Sequence, residues 1–274
     1  MTAGQLSLLA PEPPRHQAAS DTVRLVVFNA QHAAPERACR QVAWLARQEC
    51  ADLVVVTEVG PGPGGDALVT ALADHGYASV VDPAPATRDY RTVLASRSAA
   101  LQPVDSGVTV LPHRAPCAAL RLGGHHVVLL GLYVPSRGPK QRRNEDKRAF
   151  QAAVSAALSG LIARCEGPLI VAGDLNVVEP GHTPHHRVFG QWEYDFYRSF
   201  PAAGLTDAYR HLLPETVEQS WYGRAGNGYR FDHVFLTAAH RARLLACGYL
   251  HEPREQGLTD HSAMVIQIAC TEPR

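Results

Sequence analysis

Polar residues suited to acid–base chemistry or metal binding follow or interrupt several apolar segments. The clearest case is residues 168–176, PLIVAGDLN, where an apolar run ends in Asp174 and, two positions later, Asn176. Other segments have the same form, and their polar residues are Asn29, Glu58, Tyr133, Asp232 with His233, and Asp260 with His261. One polar residue at a strand end often only forms a turn. Several together predict a single site, because strand ends bring distant side chains to one rim.

The residue types indicate which chemistry such a site supports. The carboxylates of Glu58 and Asp260 and the amide oxygen of Asn29 are hard ligands, which suit Mg²⁺ or Mn²⁺. The six cysteines lie far apart with no CxxC pair, so the sequence predicts reduced thiols and no zinc site. Magnesium with carboxylates, a histidine and a tyrosine is typical of phosphoryl chemistry.

The elements that would position these residues follow from the apolar periodicity. A helix is predicted from Pro35, because Ala38, Val42 and Leu45 recur at helical spacing after a proline suited to a first turn. The PGPGG cluster predicts a loop. Further predicted helices are 66–75, 140–165 and 192–200, and the predicted strands are 23–29, 52–58, 77–81, 90–96, 116–122, 126–134, 168–174, 229–236, 244–250 and 263–268.

Length and composition limit the classes of protein. With 274 residues and 46% hydrophobic residues, the chain can bury one large domain, which we place at residues 22–274 after a flexible, proline-containing tail at 1–21. Lys and Arg balance Asp and Glu at 26 each, so only a local patch could attract a polyanion. The sequence contains no signal segment and no long apolar run, which predicts a cytoplasmic protein without membrane contact.

The order of the motifs resembles a known family. FNA, VVVTE, YVPS, GDLNV, GLTDAYR, SWYGR, NGYRFDH and TDHS, from about Asn29 to His261, resemble the endonuclease/exonuclease/phosphatase superfamily. Within it they resemble the exonuclease III type apurinic/apyrimidinic endonucleases. The resemblance implies an α/β (α+β) fold, a four-layered α/β sandwich of two mixed sheets packed face to face with helices outside. It also implies a Mg²⁺-dependent phosphodiester hydrolase acting on DNA, a repair nuclease that cuts abasic sites or trims 3′ ends.

The resemblance also implies roles on the two sides of the reaction. Glu58 would be the principal metal ligand, helped by Asn29 and Asp260. Asp174, with Asn176 beside it, would orient and deprotonate the attacking water. An in-line attack needs a base on one side of the phosphate and a metal that offsets charge on the leaving group.

Two further residues would contact the phosphate. His261, paired with Asp232, would contact the scissile phosphate and stabilise negative charge. Tyr133 would donate its phenol to a non-bridging oxygen. A histidine oriented by a carboxylate has a fixed tautomer and charge, which suits this role.

The segment around SWYGR and NGYRF resembles the pocket that repair nucleases use for a sugar without its base. Trp221, Tyr229 and Phe231 would form its apolar walls, and Arg230 would contact substrate beside them. Such a slot admits a flipped deoxyribose and rejects an intact nucleotide. The alternative is that these aromatic residues belong to the core or to strand pairs.

A basic segment follows YVPS. Arg137 would contact the DNA backbone, together with neighbours from the same segment. These neighbours are Lys140, Arg142, Arg143, Lys147 and Arg148. Glu145 and Asp146 dilute this patch, so a solvated helix face is the alternative interpretation.

Three segments depart from the pattern of the repair nucleases. Gln31 and His32 replace their usual Asn-Gly or Asp-Gly. The segment 57–60 reads TEVG where the repair nucleases usually read Gln-Glu-Thr-Lys, and Ser136 replaces their usual Asn or Gln. These departures leave open a phosphodiesterase or phosphatase of the same superfamily that acts on a small phosphoester. The histidines of GHTPHH are His182, His185 and His186, and a polar loop is favoured there over a second metal site.

The predicted tail contains a short linear motif. Residues 5–9, QLSLL, resemble the peptide by which bacterial repair proteins bind the DNA sliding clamp, with anchors at Gln5, Leu6, Leu8 and Leu9. The alternative is a chance pentapeptide. A non-catalytic clamp adaptor is a further hypothesis, and the complete set of catalytic residue types argues against it.

Overall fold

The computed structural model describes residues 22–48, 51–84, 88–137, 141–223 and 225–271. The predicted tail at 1–21 lies outside the described residues, and with it Gln5, Leu6, Leu8 and Leu9, so clamp binding stays a prediction. In the described part of the chain, no helix is both long enough and apolar enough to cross a membrane.

Strands and helices alternate along the described chain. In order, the strands are β1 (Thr22–Asn29), β2 (Ala51–Val59), β3 (Ser79–Val81), β4 (Arg91–Ser96), β5 (Gln102–Val104), β6 (Cys117–Leu122), β7 (His125–Tyr133), β8 (Leu169–Asp174), β9 (Leu205–Asp207), β10 (Trp221–Tyr222), β11 (Gly228–Tyr229), β12 (Asp232–Thr237), β13 (Leu244–Leu250) and β14 (Ala263–Ala269). The helices are α1 (Pro35–Arg47), α2 (Pro63–Asp74), α3 (Gln141–Arg164), α4 (Gln191–Ala202), α5 (Ala208–Leu212) and α6 (Glu252–Glu255).

Two six-stranded sheets form the centre of the molecule. Their strand orders are β13-β14-β1-β2-β4-β3 and β5-β6-β7-β8-β12-β9. Each sheet is mixed: β1 and β2 are parallel in the first, β7 and β8 are parallel in the second, and the remaining neighbours are antiparallel. One apolar cluster lies between the sheets, and two others join their outer faces to helices. The predicted four-layered α/β sandwich is confirmed.

Strand β2 shows why its segment reads as an uninterrupted apolar run. Leu53 and Val55 pack between the two sheets, whereas Val54 and Val56 pack toward helices α1 and α2. Both faces of the strand are therefore buried, and neither needs polar residues.

Two boundaries differ from the sequence predictions. Helix α2 begins at Pro63, inside the PGPGG cluster that predicts a loop, because proline fits a first helical turn. The predicted strand 229–236 is two strands: Tyr229 pairs with Trp221 in the β10–β11 hairpin, whereas Asp232 pairs with Asp174 in the second sheet. The short elements β5, β9 and α5 were not predicted, since so few residues carry no clear periodicity.

The strand directions bring the predicted site residues to one edge. The carboxyl ends of the parallel strands β1, β2, β7 and β8 carry Asn29, Glu58, Tyr133 and Asp174. Strand β12 is antiparallel to β8, so its amino end arrives at the same place. In register, Asp174 lies opposite Tyr133 on one side and opposite Asp232 on the other.

Candidate active site

A cavity of about 490 Å³ opens at this edge of the sheets. Most of the predicted site residues line it: Glu58, Tyr133, Arg137, Asn176, Trp221, Tyr229, Phe231, Asp260 and His261. Glu58 and His261 are 203 positions apart in the chain, yet they lie on the same cavity. The central expectation of one shared site therefore agrees with the fold.

Asp174 is a buried carboxyl group held by three donors. Its Oδ1 accepts from the backbone N–H of Asn176 at 2.8 Å, and its Oδ2 accepts from the side chains of Asn176 at 3.1 Å and Asn29 at 3.0 Å. Burial raises the pKa of Asp174 well above its ordinary value, and the charges of Asp232 and Glu58 raise it further, against the opposing effect of His261. A carboxylate with a raised pKa is a stronger base than an exposed one.

His261 is paired with a carboxylate. Its Nδ1 lies 2.8 Å from Oδ2 of Asp232, and both side chains are buried. Burial opposes the charge on the ring, but Asp232, then Asp174 and Asp260, outweigh it and raise the pKa of His261 to about 10. The ring is therefore positively charged at neutral pH, and Nε2–H remains as a donor for a substrate oxygen.

Asn29 connects Asp174 to the turn after β1. Its amide oxygen accepts from the backbone N–H of Gln31 at 2.8 Å, and its amide nitrogen donates to Asp174 at 3.0 Å. The same nitrogen lies 3.4 Å from Nε2 of His261. Asn29 is only 1% exposed and, like Asp174, does not line the cavity; its contacts position Asp174, and its part in metal ligation stays a prediction.

Glu58 and Tyr133 form a second contact across the two sheets. The phenol of Tyr133 donates to Oε1 of Glu58 at 2.8 Å. Burial raises the pKa of Tyr133 well above its ordinary value, and the charges of Glu58 and Asp174 add to this. The phenol therefore keeps its proton and stays a hydrogen-bond donor.

The donor set fits a divalent cation of the Mg²⁺ type. Glu58 presents carboxylate oxygens to the cavity, and Asp260 also lines it while its Oδ2 accepts from the indole N–H of Trp221 at 2.8 Å. Among the described residues, no three His, Cys, Asp or Glu side chains form a ready-made metal cage. Mg²⁺ does not need one, because it usually keeps several waters and uses one or two carboxylates.

Unfavourable backbone conformations concentrate around the cavity. Five non-glycine residues in the described ranges have positive φ, and four of them line the cavity. These four are Gln31 (φ 48°), His32 (φ 39°), Glu58 (φ 52°) and Asn176 (φ 49°). Such residues cost energy and cluster at functional sites, where surrounding contacts impose them.

The predicted aromatic wall is present and larger than predicted. The rings of Tyr229 and Phe231 stack with centroids 5.1 Å apart, and Trp221 stacks on Phe231 at 5.6 Å. Two residues that sequence reasoning missed extend it: Phe189 lies 6.0 Å edge-on to Tyr229 and to Phe231, and His186 stacks on Tyr229 at 4.1 Å. Neither lies in an element with a readable period, so no local signal pointed to them.

Ser220 was also missed, and it joins the pocket to the catalytic pair. Its buried hydroxyl accepts from the backbone N–H groups of Phe231 at 3.0 Å and Asp232 at 3.2 Å. Its carbonyl accepts from Ser262 at 2.7 Å, and the adjacent Trp221 bridges to His261. Ser220 and Trp221 therefore connect the start of β12, in the second sheet, to the segment that precedes β14, in the first sheet.

Arg230 does not contact the cavity, and its predicted substrate-binding role is wrong. Its side chain is fully buried, and Nη2 lies 2.8 Å from both Glu179 Oε2 and Asp207 Oδ2. Arg210 pairs with the same Glu179 at 2.6 Å. We call these four residues, Glu179, Asp207, Arg210 and Arg230, the ion-pair cluster. Strand alternation explains the error, because Tyr229 and Phe231 face the cavity and the residue between them faces inward.

The basic segment after YVPS divides into different environments. Arg137 lines the cavity and donates to Glu193 at 2.9 Å and to the carbonyl of Val188. Lys147 is fully buried, donating to Glu193 at 2.6 Å and to the carbonyl of Asn176 at 2.8 Å. Lys147 therefore cannot follow a DNA backbone, whereas Arg137 can contact a substrate.

Two of the three histidines of GHTPHH, His182 and His186, contact protein groups. The ring nitrogens of His182 lie 3.0 Å from the carbonyl of Pro184 and 2.9 Å from Oε1 of Gln219. His186 hydrogen-bonds the carbonyl of Gly228 at 2.8 Å, which holds it against Tyr229. These contacts fit the polar loop that the sequence favoured.

Comparison with known proteins identifies the family. The model of the endonuclease/exonuclease/phosphatase family matches residues 26–261. The chain belongs to this family. The resemblance read from the motifs is thereby confirmed, and this member of the endonuclease/exonuclease/phosphatase family is a hydrolase that acts on ester bonds. A search of curated protein sequences gives no significant match.

Several solved structures share the fold of this family member. The 3′ phosphatase NExo from Neisseria, bound to a product DNA hairpin, aligns with a TM-score of 0.73 and 21% identity over 90% of this chain and 99% of that one. A structure described as the 3′-5′ exonuclease NExo from Neisseria meningitidis gives 0.72 and 20%, covering 90% and 99%. An AP endonuclease from Archaeoglobus fulgidus gives 0.72 and 19%, covering 89% and 98%.

Proposed function

We propose that this protein is a Mg²⁺-dependent phosphodiester hydrolase that acts on DNA, cutting at abasic sites or removing groups from 3′ ends. One observation carries the proposal: a metal-type carboxylate, a charged histidine and an aromatic wall line one cavity, and a buried base lies behind them, joined to the histidine through Asn29. The base is Asp174, the histidine is His261 and the carboxylate is Glu58.

Asp174 supplies the base for the attacking water. Asn29 and Asn176 fix its carboxylate by donating to its oxygens, so the orientation of the group is set. The raised pKa of Asp174 brings its basicity closer to that needed for proton transfer from water.

His261 and Tyr133 act on the phosphate oxygens. The imidazolium of His261, held by Asp232, donates Nε2–H and offsets negative charge as the bond to the leaving group weakens. Tyr133 keeps its proton and provides a neutral donor. Glu58 and Asp260 would hold Mg²⁺, which when bound supplies positive charge for the leaving oxygen.

The aromatic wall supports a substrate with an exposed sugar. Trp221, Tyr229, Phe231 and Phe189 offer an apolar surface next to the phosphate-binding residues, where a deoxyribose without its base packs favourably. The fold relatives include a 3′ phosphatase bound to product DNA, a 3′-5′ exonuclease and an AP endonuclease, which supports DNA as the substrate class.

The test is an incision assay on purified protein. Three duplexes are compared: one with an abasic analogue, one with a 3′-phosphate and one undamaged, each with Mg²⁺ and with EDTA. We expect Mg²⁺-dependent turnover of a damaged duplex, abolished in Asp174→Asn and retained in Asp195→Asn, which changes an exposed carboxylate on α4. The absence of metal-dependent turnover on every duplex would refute the proposal, and hydrolysis of soluble phosphoesters alone would replace DNA by a small ester.

A further inference from the structure

The turn after β1 carries an imidazole into the candidate metal site. Gln31 and His32 are both in the left-handed region, with φ of 48° and 39°. The backbone N–H of Gln31 donates to Oδ1 of Asn29 at 2.8 Å, and that of His32 donates to the carbonyl of Glu58 at 2.9 Å. The backbone of His32 is thus bound directly to the residue expected to hold the ion.

The ring of His32 is oriented by a second set of contacts. It stacks on Tyr90, with centroids 5.3 Å apart and planes 27° from parallel. Tyr90 follows Asp89, whose Oδ2 lies 2.9 Å from both the His113 ring and Nε of Arg114. An anchored loop therefore packs against one face of the imidazole, and the ring edge that carries Nδ1 lies toward Glu58.

The spacing between His32 and Glu58 is too long for a hydrogen bond. Nδ1 of His32 lies 3.6 Å from Oε2 of Glu58. Protein hydrogen bonds of this type span about 2.7 to 3.2 Å. Two ligands at about 2.1 Å from one ion lie about 3.0 Å apart at a right angle and about 3.6 Å apart at 120°. At 3.6 Å the two atoms are about 0.6 Å farther apart than two adjacent ligands of an octahedral ion, a difference that a small rotation of the His32 side chain would close.

The adjacent side chain is already engaged elsewhere. Oε1 of Gln31 accepts from Arg37, which also donates to the Gln31 carbonyl at 2.7 Å. His32 has no such engagement of its Nδ1 at hydrogen-bond distance among the described contacts, and its side chain is 54% exposed and lines the cavity. Between the two, the geometry selects the imidazole.

We propose that His32 ligates the divalent ion through Nδ1 together with Glu58, and that this nitrogen ligand shifts the site toward Mn²⁺ and other first-row transition ions relative to Mg²⁺. This inference rests on the proposed metal dependence and adds a ligand to it. Imidazole binds transition ions better than it binds Mg²⁺, which prefers oxygen.

The test measures metal binding without substrate. Pulsed EPR on the Mn²⁺-loaded full chain detects nitrogen coupling from a coordinated imidazole, and calorimetry gives affinities for Mn²⁺ and Mg²⁺. The variants are His32→Ala and a matched control, His185→Ala, whose exposed ring lies outside the cavity lining. Thermal melts confirm that both variants are folded.

We expect nitrogen coupling in the wild type and in His185→Ala, and its loss in His32→Ala. Mn²⁺ affinity should fall about tenfold or more in His32→Ala, with a smaller change for Mg²⁺. Coupling that persists in His32→Ala would assign the nitrogen to another residue such as His261 and overturn the inference. Mn²⁺ binding that needs Glu58 but shows no nitrogen coupling would also overturn it, and would leave the DNA incision assay and the proposed function unaffected.

Discussion

The cavity and the ion-pair cluster are both buried and charged, yet their charges are arranged in opposite ways. In the ion-pair cluster, two arginines face two carboxylates, and the arginines lower the pKa of Glu179 and of Asp207 despite burial. Around the cavity, four carboxylates accompany one imidazolium and Arg137, which is itself paired with Glu193, and the pKa of Asp174 is raised. The carboxylates are Glu58, Asp174, Asp232 and Asp260.

This difference separates a structural network from a chemical one. The cluster satisfies its charges internally, so it stabilises the folded chain in a single arrangement. The cavity leaves negative charge uncompensated and keeps a base at high pKa, which costs stability and favours binding a cation. The two regions adjoin just before strand β12, since Arg230 and Asp232 lie on either side of Phe231.

The same substitution in each region should have opposite effects on stability. Asp174→Asn removes the base, and we expect a loss of activity of about 10²- to 10⁴-fold. The substitution also removes a buried charge, and because the pKa of Asp174 is raised, that charge destabilises the folded state above pH 3.8. The unfolding free energy of Asp174→Asn should therefore exceed that of the wild type by about 1 kcal/mol at neutral pH. In acid, where Asp174 is protonated, the two unfolding free energies should converge. Incision kinetics and urea denaturation measure both effects.

Asp207→Asn is the matched control for Asp174→Asn. Its carboxylate has a lowered pKa and pairs with Arg230, so the substitution should lower the unfolding free energy. Equal signs for the two variants in urea denaturation would contradict the distinction between the regions.

Arg230→Ala should be the most destabilising change in the ion-pair cluster. It leaves Glu179 and Asp207 buried without their shared partner, which costs about 3–5 kcal/mol. Arg210→Ala removes a partly exposed partner of Glu179 and should cost about 1 kcal/mol. Denaturant melts of both variants provide the comparison, and a loss in Arg230→Ala no larger than in Arg210→Ala would show that the cluster is not centred on Arg230.

A divalent ion should stabilise the folded protein by binding at the cavity and not at the ion-pair cluster. At a Mg²⁺ concentration of a hundred times Kd, the unfolding free energy should rise by about 2.7 kcal/mol. Glu58→Gln should abolish this gain because it removes the principal carboxylate, whereas Arg210→Ala should keep it. Thermal melts with Mg²⁺ and with EDTA test this, and an equal gain in Glu58→Gln would place the ion elsewhere.

The two regions should lose stability at opposite ends of the pH scale. Glu179 and Asp207 have lowered pKa values, so their contribution is present above their ordinary values of 4.5 and 3.8 and is lost as pH falls below these. His261 has a raised pKa, so its contribution is complete below 6.5 and is lost as pH rises toward about 10. Each group changes stability by at most about 1.4 kcal/mol per pH unit.

Urea denaturation between pH 3 and pH 10 checks this prediction. His261→Gln should flatten the alkaline loss and leave the acid loss in place. If His261→Gln loses as much unfolding free energy at alkaline pH as the wild type, a group other than His261 causes that loss.

Much of the candidate site could be predicted from sequence because it depends on local patterns. Apolar runs that end in Glu58 and Asp174 locate both the strands and the side chains at their ends, and the oxygen-rich set of residue types indicates the class of cation. The order of the motifs indicated the family, which the match over residues 26–261 confirms.

The errors arose where the direction of a side chain depends on distant partners. Arg230 lies between two cavity residues in sequence, but Glu179 and Asp207 hold it on the opposite side. Lys147 belongs to a basic segment of the sequence, but Glu193 and the carbonyl of Asn176 hold its side chain in the interior.

The sequence by itself therefore determined the types of reactive groups, their order and the strands that end with them, since these depend on neighbours in the chain. Only the tertiary structure decided which groups meet. Phe189 joins the aromatic wall and His32 turns over Glu58 through contacts between segments far apart in the chain. Sheet register and loop packing set such contacts, and neither leaves a periodic signal in the residues themselves.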